Sequence, residues 1–339
     1  MLRAHQYCPA RTFADTAPGG SAAAETDDTC VHPPQSLLQG KVAFSFEVMP
    51  PRDLTAAPKF WATLEQLVAS RPDFISVTYG AAGQDRRGAR EVTHSIAFDS
   101  PTVPIAHFTC VGTSVDEVRQ ITNDYLDSGV RTFLALRGDP PANRPDWQPA
   151  DDALTCAADL VRLIRQEEFS RCAEHPSQAL RASLRPLRIG VAAFPDGNPA
   201  AGTTVAQEVE RLVHKQVAGA DFAITQTVWS ADTYATFVRE ARAKGVTIPI
   251  IPGILPPVEA RRLHRVHELT GVPIPERLLA DLSAAPDSAA AATVGYNFAG
   301  KLIVDLIAEG APGIHLYTFN QAEPALRTLD RATELLTEN

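Results

Sequence analysis

Three observations in the amino-acid sequence predict an α/β chain folded as a (β/α)8 (TIM) barrel. Strand-like and helix-like runs alternate from Lys41 onward, the pattern of βαβ units and parallel strands. About 300 residues follow the N-terminal segment, close to the size of such a barrel with insertions. Polar residues recur where the apolar strand runs end, and in this fold the carboxyl ends of the strands surround one active site. An open doubly wound sheet would also satisfy the alternation; the recurrence at the strand ends favours the barrel.

Residues 1–39 mix Pro, Gly, Ala, Ser, Thr and acidic residues without periodicity. Such a composition predicts a mostly disordered tail, or one that lies in part across the body of the protein, with a single catalytic domain over 40–339. The first strand is expected over 42–48. Val42, Phe44, Phe46 and Val48 would point to one face, and Ala43, Ser45 and Glu47 to the other. Pro50 and Pro51 stop it, because neither donates to a ladder and Pro50 holds Met49 extended. A lone carboxylate, Glu47, therefore closes a strand on its less greasy face.

Further strands are expected over 73–79, 104–110, 130–136, 187–194, 221–226, 247–252 and 313–317, with amphipathic helices over 60–70, 114–128, 157–168, 205–218 and 231–244. Gly129, Gly219, Gly245 and Gly313 mark returns into strands, as helix C-cap chemistry would have them. Residues 170–188 read as a basic, irregular lengthening before the fifth strand. Extra helices are expected over 273–308, before the last strand. Both insertions are expected to be structural or to face another subunit of a homo-oligomer.

Composition narrows the function. Hydrophobic residues make up 45% of the chain and charged ones 21%, which suits a globular protein with a sizeable core. The net charge of −9 provides no global field for nucleic acid or an anionic membrane. Cys8, Cys30, Cys110, Cys156 and Cys172 are scattered without CxxC spacing, against a disulfide framework or a structural zinc site. No apolar run is long enough for a membrane span and the first residues lack the apolar core of a secretory signal, so a cytoplasmic location is expected.

The strand ends carry the candidate chemistry. In order they are Glu47, Thr78-Tyr79-Gly80, His107 with Thr109, Arg137-Gly138-Asp139, Phe194-Pro195, Gln226, Pro252-Gly253 and Tyr317-Thr318. In a barrel mouth, desolvation would raise the pKa of Glu47 and make it a usable general acid near neutral pH. His107 reads as a ligand contact or as a hydrogen-bonded structural histidine, and no second His or Cys stands beside it at metal spacing. Arg137-Gly138-Asp139 joins a cation, a backbone that a ligand can approach and an acid; a turn with an internal ion pair is the alternative. The Gln226 amide both donates and accepts, which suits the edge of a heterocycle. No GxGxxG follows the first strand, and there is no P-loop or GxSxG elbow. A general acid without nucleophile or metal points to redox or isomerisation of a bound heterocycle.

Seven segments also resemble, in order, the 5,10-methylenetetrahydrofolate reductase family. They are Ser45-Phe46-Glu47 with Pro50-Pro51-Arg52, Ser76-Val77-Thr78-Tyr79-Gly80, His107-Phe108-Thr109-Cys110, Leu134-Ala135-Leu136-Arg137-Gly138-Asp139, Ala223-Ile224-Thr225-Gln226, Ile250-Ile251-Pro252-Gly253-Ile254-Leu255-Pro256 and Tyr317-Thr318-Phe319-Asn320. The resemblance implies a barrel carrying FAD, with NADH or NADPH as reductant and a folate as substrate. It implies Glu47 as the acid that opens the folate ring to a reactive iminium cation, Asp139 near flavin and folate, and Gln226 in contact with both. Thr78, His107, Leu136, Arg137, Gly138, Asp139, Phe194, Lys215 and Tyr317 would contact the cofactor. A folate- or nucleotide-binding barrel without turnover, and a different barrel flavoenzyme, are the competing readings.

Departures from the family pattern cluster at the flavin. Cys156 stands where an aromatic is usual, Asn198 where a His is usual, and Arg211 and His214 where an Asn and an Arg hold the flavin phosphates. Thr227-Val228-Trp229 replaces an aromatic run, and Gln321 an Arg. The expectation is a loosely held flavin, or a nicotinamide nucleotide that reduces the folate directly.

Overall fold

A computed structural model describes residues 42–51, 53–79, 86–138 and 153–338. The expected tail over 1–39, Arg52, Gly80 and Asp139 lie outside the described residues. Eight parallel strands close into a barrel in sequence order. They are β1 (Ala43–Val48), β2 (Phe74–Val77), β3 (Val103–Thr109), β4 (Thr132–Leu136), β5 (Arg188–Ala193), β6 (Phe222–Thr227), β7 (Ile250–Ile254) and β8 (Gly313–Tyr317). The seam pairs Ser45 with His315 and Glu47 with Tyr317.

Around the strands lie α1 (Ala57–Ala69), α2 (Arg86–Asp99), α3 (Val115–Asp127), α4 (Ala157–Glu174), α5 (Pro176–Leu184), α6 (Val205–Val217), α7 (Ala231–Ala243), α8 (Ala260–Thr270), α9 (Glu276–Ala284), α10 (Ser288–Ala308) and α11 (Ala322–Thr337). The strand alternation sorts side chains between two cores. Phe44, Phe46, Val48, Ile75, Phe108, Phe133 and Ile314 join the shell between strands and helices. Ile105, Leu134, Phe222, Ile224 and Ile251 fill the lumen, with Phe74 and Leu136 packed against them. The lumen is thus a packed plug with polar residues above it, as barrel interiors are. The expected extra helices before the last strand are α9 and α10; Leu278 and Leu282 of α9 bury with Trp229, Leu255 and Leu263 in a satellite core.

Three expectations are corrected. Most of residues 170–188 is helical where an irregular stretch was expected: α4 runs on to Glu174, and Pro176 then opens α5, which ends at Leu184. The charged residues that interrupt the apolar period of α4 are paired with other elements, Arg171 with Asn123 and Asp127 of α3 and Glu168 with Arg131 ahead of β4. Strand β7 begins at Ile250, past the expected 247, because the N–H groups of Thr247 and Ile248 donate to the Gln216 side chain at 2.6 and 3.1 Å. The left-handed turn before β8 falls at Gly310 and not at Gly313, which is already in the strand.

Candidate active site

The register of the seam and the alternation along each strand bring Glu47, Thr78, His107, Leu136, Gln226 and Tyr317 to the carboxyl end of the lumen. Glu47 keeps 21% of its side-chain surface, enough to meet a ligand from the mouth. Burial pushes its pKa up to about 8, since the surrounding protein hydrates a carboxylate poorly. The carboxyl is therefore mostly protonated at neutral pH.

Its nearest titratable neighbour is His107, with Nε2 3.5 Å from Glu47 Oε2. Burial pushes the imidazole down to about 4, so the two face each other as a neutral pair and not as an ion pair. His107 Nε2 is buried and makes no hydrogen bond. On β8, Tyr317 donates its hydroxyl to the Thr225 carbonyl at 2.6 Å. Its pKa is raised first by burial and then by the nearby Glu47. The ring fits because residue 253 is glycine: a Cβ there would lie 2.6 Å from Tyr317 Cε2 and 2.5 Å from the Thr225 carbonyl oxygen.

One buried polar residue escaped the sequence reading. His315 lies beneath Glu47, fully buried, with Nδ1 2.8 Å from Ser45 Oγ and Nε2 3.4 Å from Ser76 Oγ. Burial, with His107 nearby, pushes it down to about 3. The signal was available, since Gly313, His315 and Tyr317 share one strand face.

The loop after Glu47 is pinned by β8. Thr318 Oγ1 donates to the Glu47 carbonyl at 2.6 Å. Asn320 accepts from Met49 N–H at 2.8 Å and donates to the Met49 carbonyl at 2.7 Å. The Tyr-Thr-x-Asn segment thus sets the depth of the acid on a different strand.

A second group lies at the mouth of β5. Lys215 Nζ donates to the Ala192 carbonyl at 2.8 Å and stands 5.9 Å from the centroid of the Phe194 ring. Burial pushes its pKa down to about 8. Arg211, by contrast, turns to Glu208 at 2.8 Å, and His214 is exposed. Cys156 Sγ donates to Asp159 at 3.2 Å, and Asn198 caps the short turn Pro199–Ala201 through Ala201 N–H. These four residues are thus occupied locally or face solvent. Gln226 Oε1 accepts from Thr227 N–H at 2.7 Å. At the β4 end, Arg137 is exposed and donates to the Gly138 carbonyl at 3.2 Å. Gly138 has φ +83°, and a Cβ there would meet Val111 at 2.7 Å.

Comparisons with known proteins identify the family. The family model described as Methylenetetrahydrofolate reductase matches residues 34–333. The 5,10-methylenetetrahydrofolate reductase of Pectobacterium carotovorum is 32% identical over 294 residues, covering 85% of this chain and 90% of that one. The Escherichia coli protein of the same name is 31% identical with the same coverage. Methylenetetrahydrofolate reductase (NADH) 1 of Arabidopsis thaliana is 28% identical, and the match spans 86% of this chain but 48% of that longer protein. Among solved structures, an uncharacterized protein from Clostridium thermocellum that binds two copies of 5-methyl-5,6,7,8-tetrahydrofolic acid aligns with TM-score 0.55 and 17% identity. The alignment covers 89% of this chain and 98% of that one, a likeness of fold. With the family match running from ahead of β1 into α11 and two bacterial relatives above 30% identity, the chain belongs to the methylenetetrahydrofolate reductase family.

Proposed function

We propose that this chain reduces 5,10-methylenetetrahydrofolate to 5-methyltetrahydrofolate with a reduced nicotinamide nucleotide as electron source and Glu47 as the general acid. The observation that carries the proposal is a largely buried carboxyl, Glu47, at the open end of the lumen, where burial raises its pKa. The name shared by the bacterial relatives supplies the substrate.

Glu47 gives its proton to the leaving ring nitrogen, and the five-membered ring opens to an iminium cation. Hydride from the nucleotide then reaches the methylene carbon, which becomes the methyl group. The Glu47 carboxylate regains a proton from solvent, so one reduced nucleotide and one proton are consumed per turnover. A protonated donor at working pH is what such catalysis requires, and holding hydride donor and acceptor in line would supply much of the rate. Gln226, Asp139 and Thr78 are assigned to hold the pterin and the hydride donor, and Tyr317 to wall the site.

FAD is implied by the family pattern, and the described residues suit only part of it. Thr78, Leu136 and Tyr317, at the carboxyl end of the lumen, are assigned to the flat ring system. The diphosphate end does not fit: Arg211 is spent on Glu208, Lys215 is turned in to the Ala192 carbonyl, and Asp159 accompanies Cys156. No step is therefore routed through a flavin: the nucleotide is assigned as the hydride donor, and a loosely held flavin is the second reading.

Anaerobic turnover of 5,10-methylenetetrahydrofolate with NADH and with NADPH, each with and without added FAD, tests the proposal. Turnover with at least one nucleotide is expected. A purified protein with near-stoichiometric flavin absorbance would remove the loose-flavin reading. No turnover under any of the four conditions would leave a binding protein.

A further inference from the structure

The buried atom left without a partner in this site points to a residue whose task is not ligand contact. His107 Nε2 is buried, unpaired and aimed at Glu47 Oε2 across 3.5 Å. Such an atom is costly to leave unsatisfied. A carboxyl that carries its proton on the near oxygen satisfies it at once, since a neutral imidazole nitrogen accepts where a carboxylic acid donates.

We propose that His107 is a positioning residue for the proton donor: its neutral Nε2 accepts the hydrogen bond of protonated Glu47 and holds that proton in place until the folate arrives. This rests on the reductase reading for its catalytic meaning, but the hydrogen bond itself belongs to the ligand-free protein. The alternative role, a contact to cofactor or nucleotide through Nε2, would need that atom within a ligand's reach, and in the ligand-free protein it is buried.

The neighbours of the pair are consistent with it. On β8, Tyr317 and His315 face it; on β2, Ser76 and Thr78 bring no titratable group. Tyr317 is committed to the Thr225 carbonyl, and His315 sits between Ser45 and Ser76. Neither is therefore the acceptor of the Glu47 proton. At the end of β4, Arg137 is exposed and turned to the Gly138 carbonyl, and Asp139 lies beyond the described residues. With His315 held neutral by burial, the ground beneath the pair carries no cation that would draw the proton off Glu47. When the proton leaves for the folate, the vacated Oε2 faces an imidazole lone pair. That contact favours prompt recapture of a proton by the carboxylate.

Two arms test the proposal. In ligand-free protein, the infrared carbonyl stretch of the protonated carboxyl is identified as the band that Glu47→Gln removes. It is expected to move to higher frequency in His107→Leu, where the acceptor is lost, and to stay near its original place in His107→Gln, whose amide oxygen reaches toward the Nε2 position. A band unmoved by His107→Leu overturns the proposal whether or not the chain proves to be a reductase. In turnover, His107→Leu is expected to lower kcat roughly 10- to 100-fold, to leave KM for the folate within about 2-fold, and to move the alkaline limb of the pH profile to lower pH, while His107→Gln recovers most of the loss. A raised KM for the nucleotide with kcat and pH profile unchanged identifies a ligand contact and also overturns it. Should His107→Leu not fold, the imidazole Nε2 resonance of the native chain is expected to shift in Glu47→Ala, and an unmoved resonance has the same consequence.

Discussion

The proton on Glu47 has consequences for stability as well as for chemistry. Its pKa rises from the unfolded carboxylate value of 4.5 to about 8 on folding, so between those values the folded chain binds a proton that the unfolded chain has released. Stability therefore falls as pH rises through this window. The penalty is absent below the lower value and complete above the upper one. Glu47→Gln is expected to match the native chain in thermal stability at pH 4 and to exceed it at pH 9 by up to about 5 kcal/mol; equal melting at both values would show that the carboxyl is better hydrated than its burial implies. The same substitution is expected to cut kcat about 10²- to 10⁴-fold while leaving nucleotide affinity within about 2-fold, measured by anaerobic turnover and by titration calorimetry. The placement of Glu47 was legible in the sequence, because alternation along 42–48 and the two following prolines put it at a strand end on the lumen face. What lies under it was legible only in part. Alternation puts His315 on the face of Tyr317, but only the β1–β8 register sets it between two serines from different strands.

At the scale of elements, β8 and its loop act on β1. Asn320 closes two hydrogen bonds on the Met49 backbone, and Thr318 holds the Glu47 carbonyl. Asn320→Ala leaves the half-buried Met49 N–H and C=O without that partner, for which a loss of about 1–3 kcal/mol is expected, read from denaturant melts. The 49–51 loop should then be cut more readily in limited proteolysis; an unchanged cleavage rate would mean that Thr318 alone secures it. At β7, Gly253→Ala would force the Tyr317 ring and the Thr225 carbonyl apart, with an expected cost of about 1–3 kcal/mol and a loss of turnover out of proportion to it. Sequence periodicity located nearly every strand, since lumen and shell residues alternate cleanly. It failed where polar side chains took over backbone duties, as Gln216 does ahead of β7. It failed also where charged residues paired with other elements, Glu168 and Arg171, broke the apolar period of α4. Neither arrangement leaves a local trace, because each partner comes from another element.

For the whole molecule, net charge enters. With a balance of −9, a phosphate-bearing nucleotide approaches against the mean field of the chain. Screening should then raise kcat/KM for the nucleotide by about 2-fold from low to physiological salt; a fall would show that a local cluster of cations governs the encounter. The closed barrel was legible from the count and spacing of strand runs, whereas its seam was not, because pairing of first and last strand has no signature in either. That seam also sets a schedule for synthesis. The contacts that pin the Glu47–Met49 segment come from residues 271 positions later in the chain. A nascent chain still lacking β8 carries its acid on an open edge without these anchors, and such exposed edges are prone to mispairing. Ribosome-bound chains halted before Gly313 are thus expected to be inactive and to occupy chaperones, and competence should arrive only as the final strand is delivered.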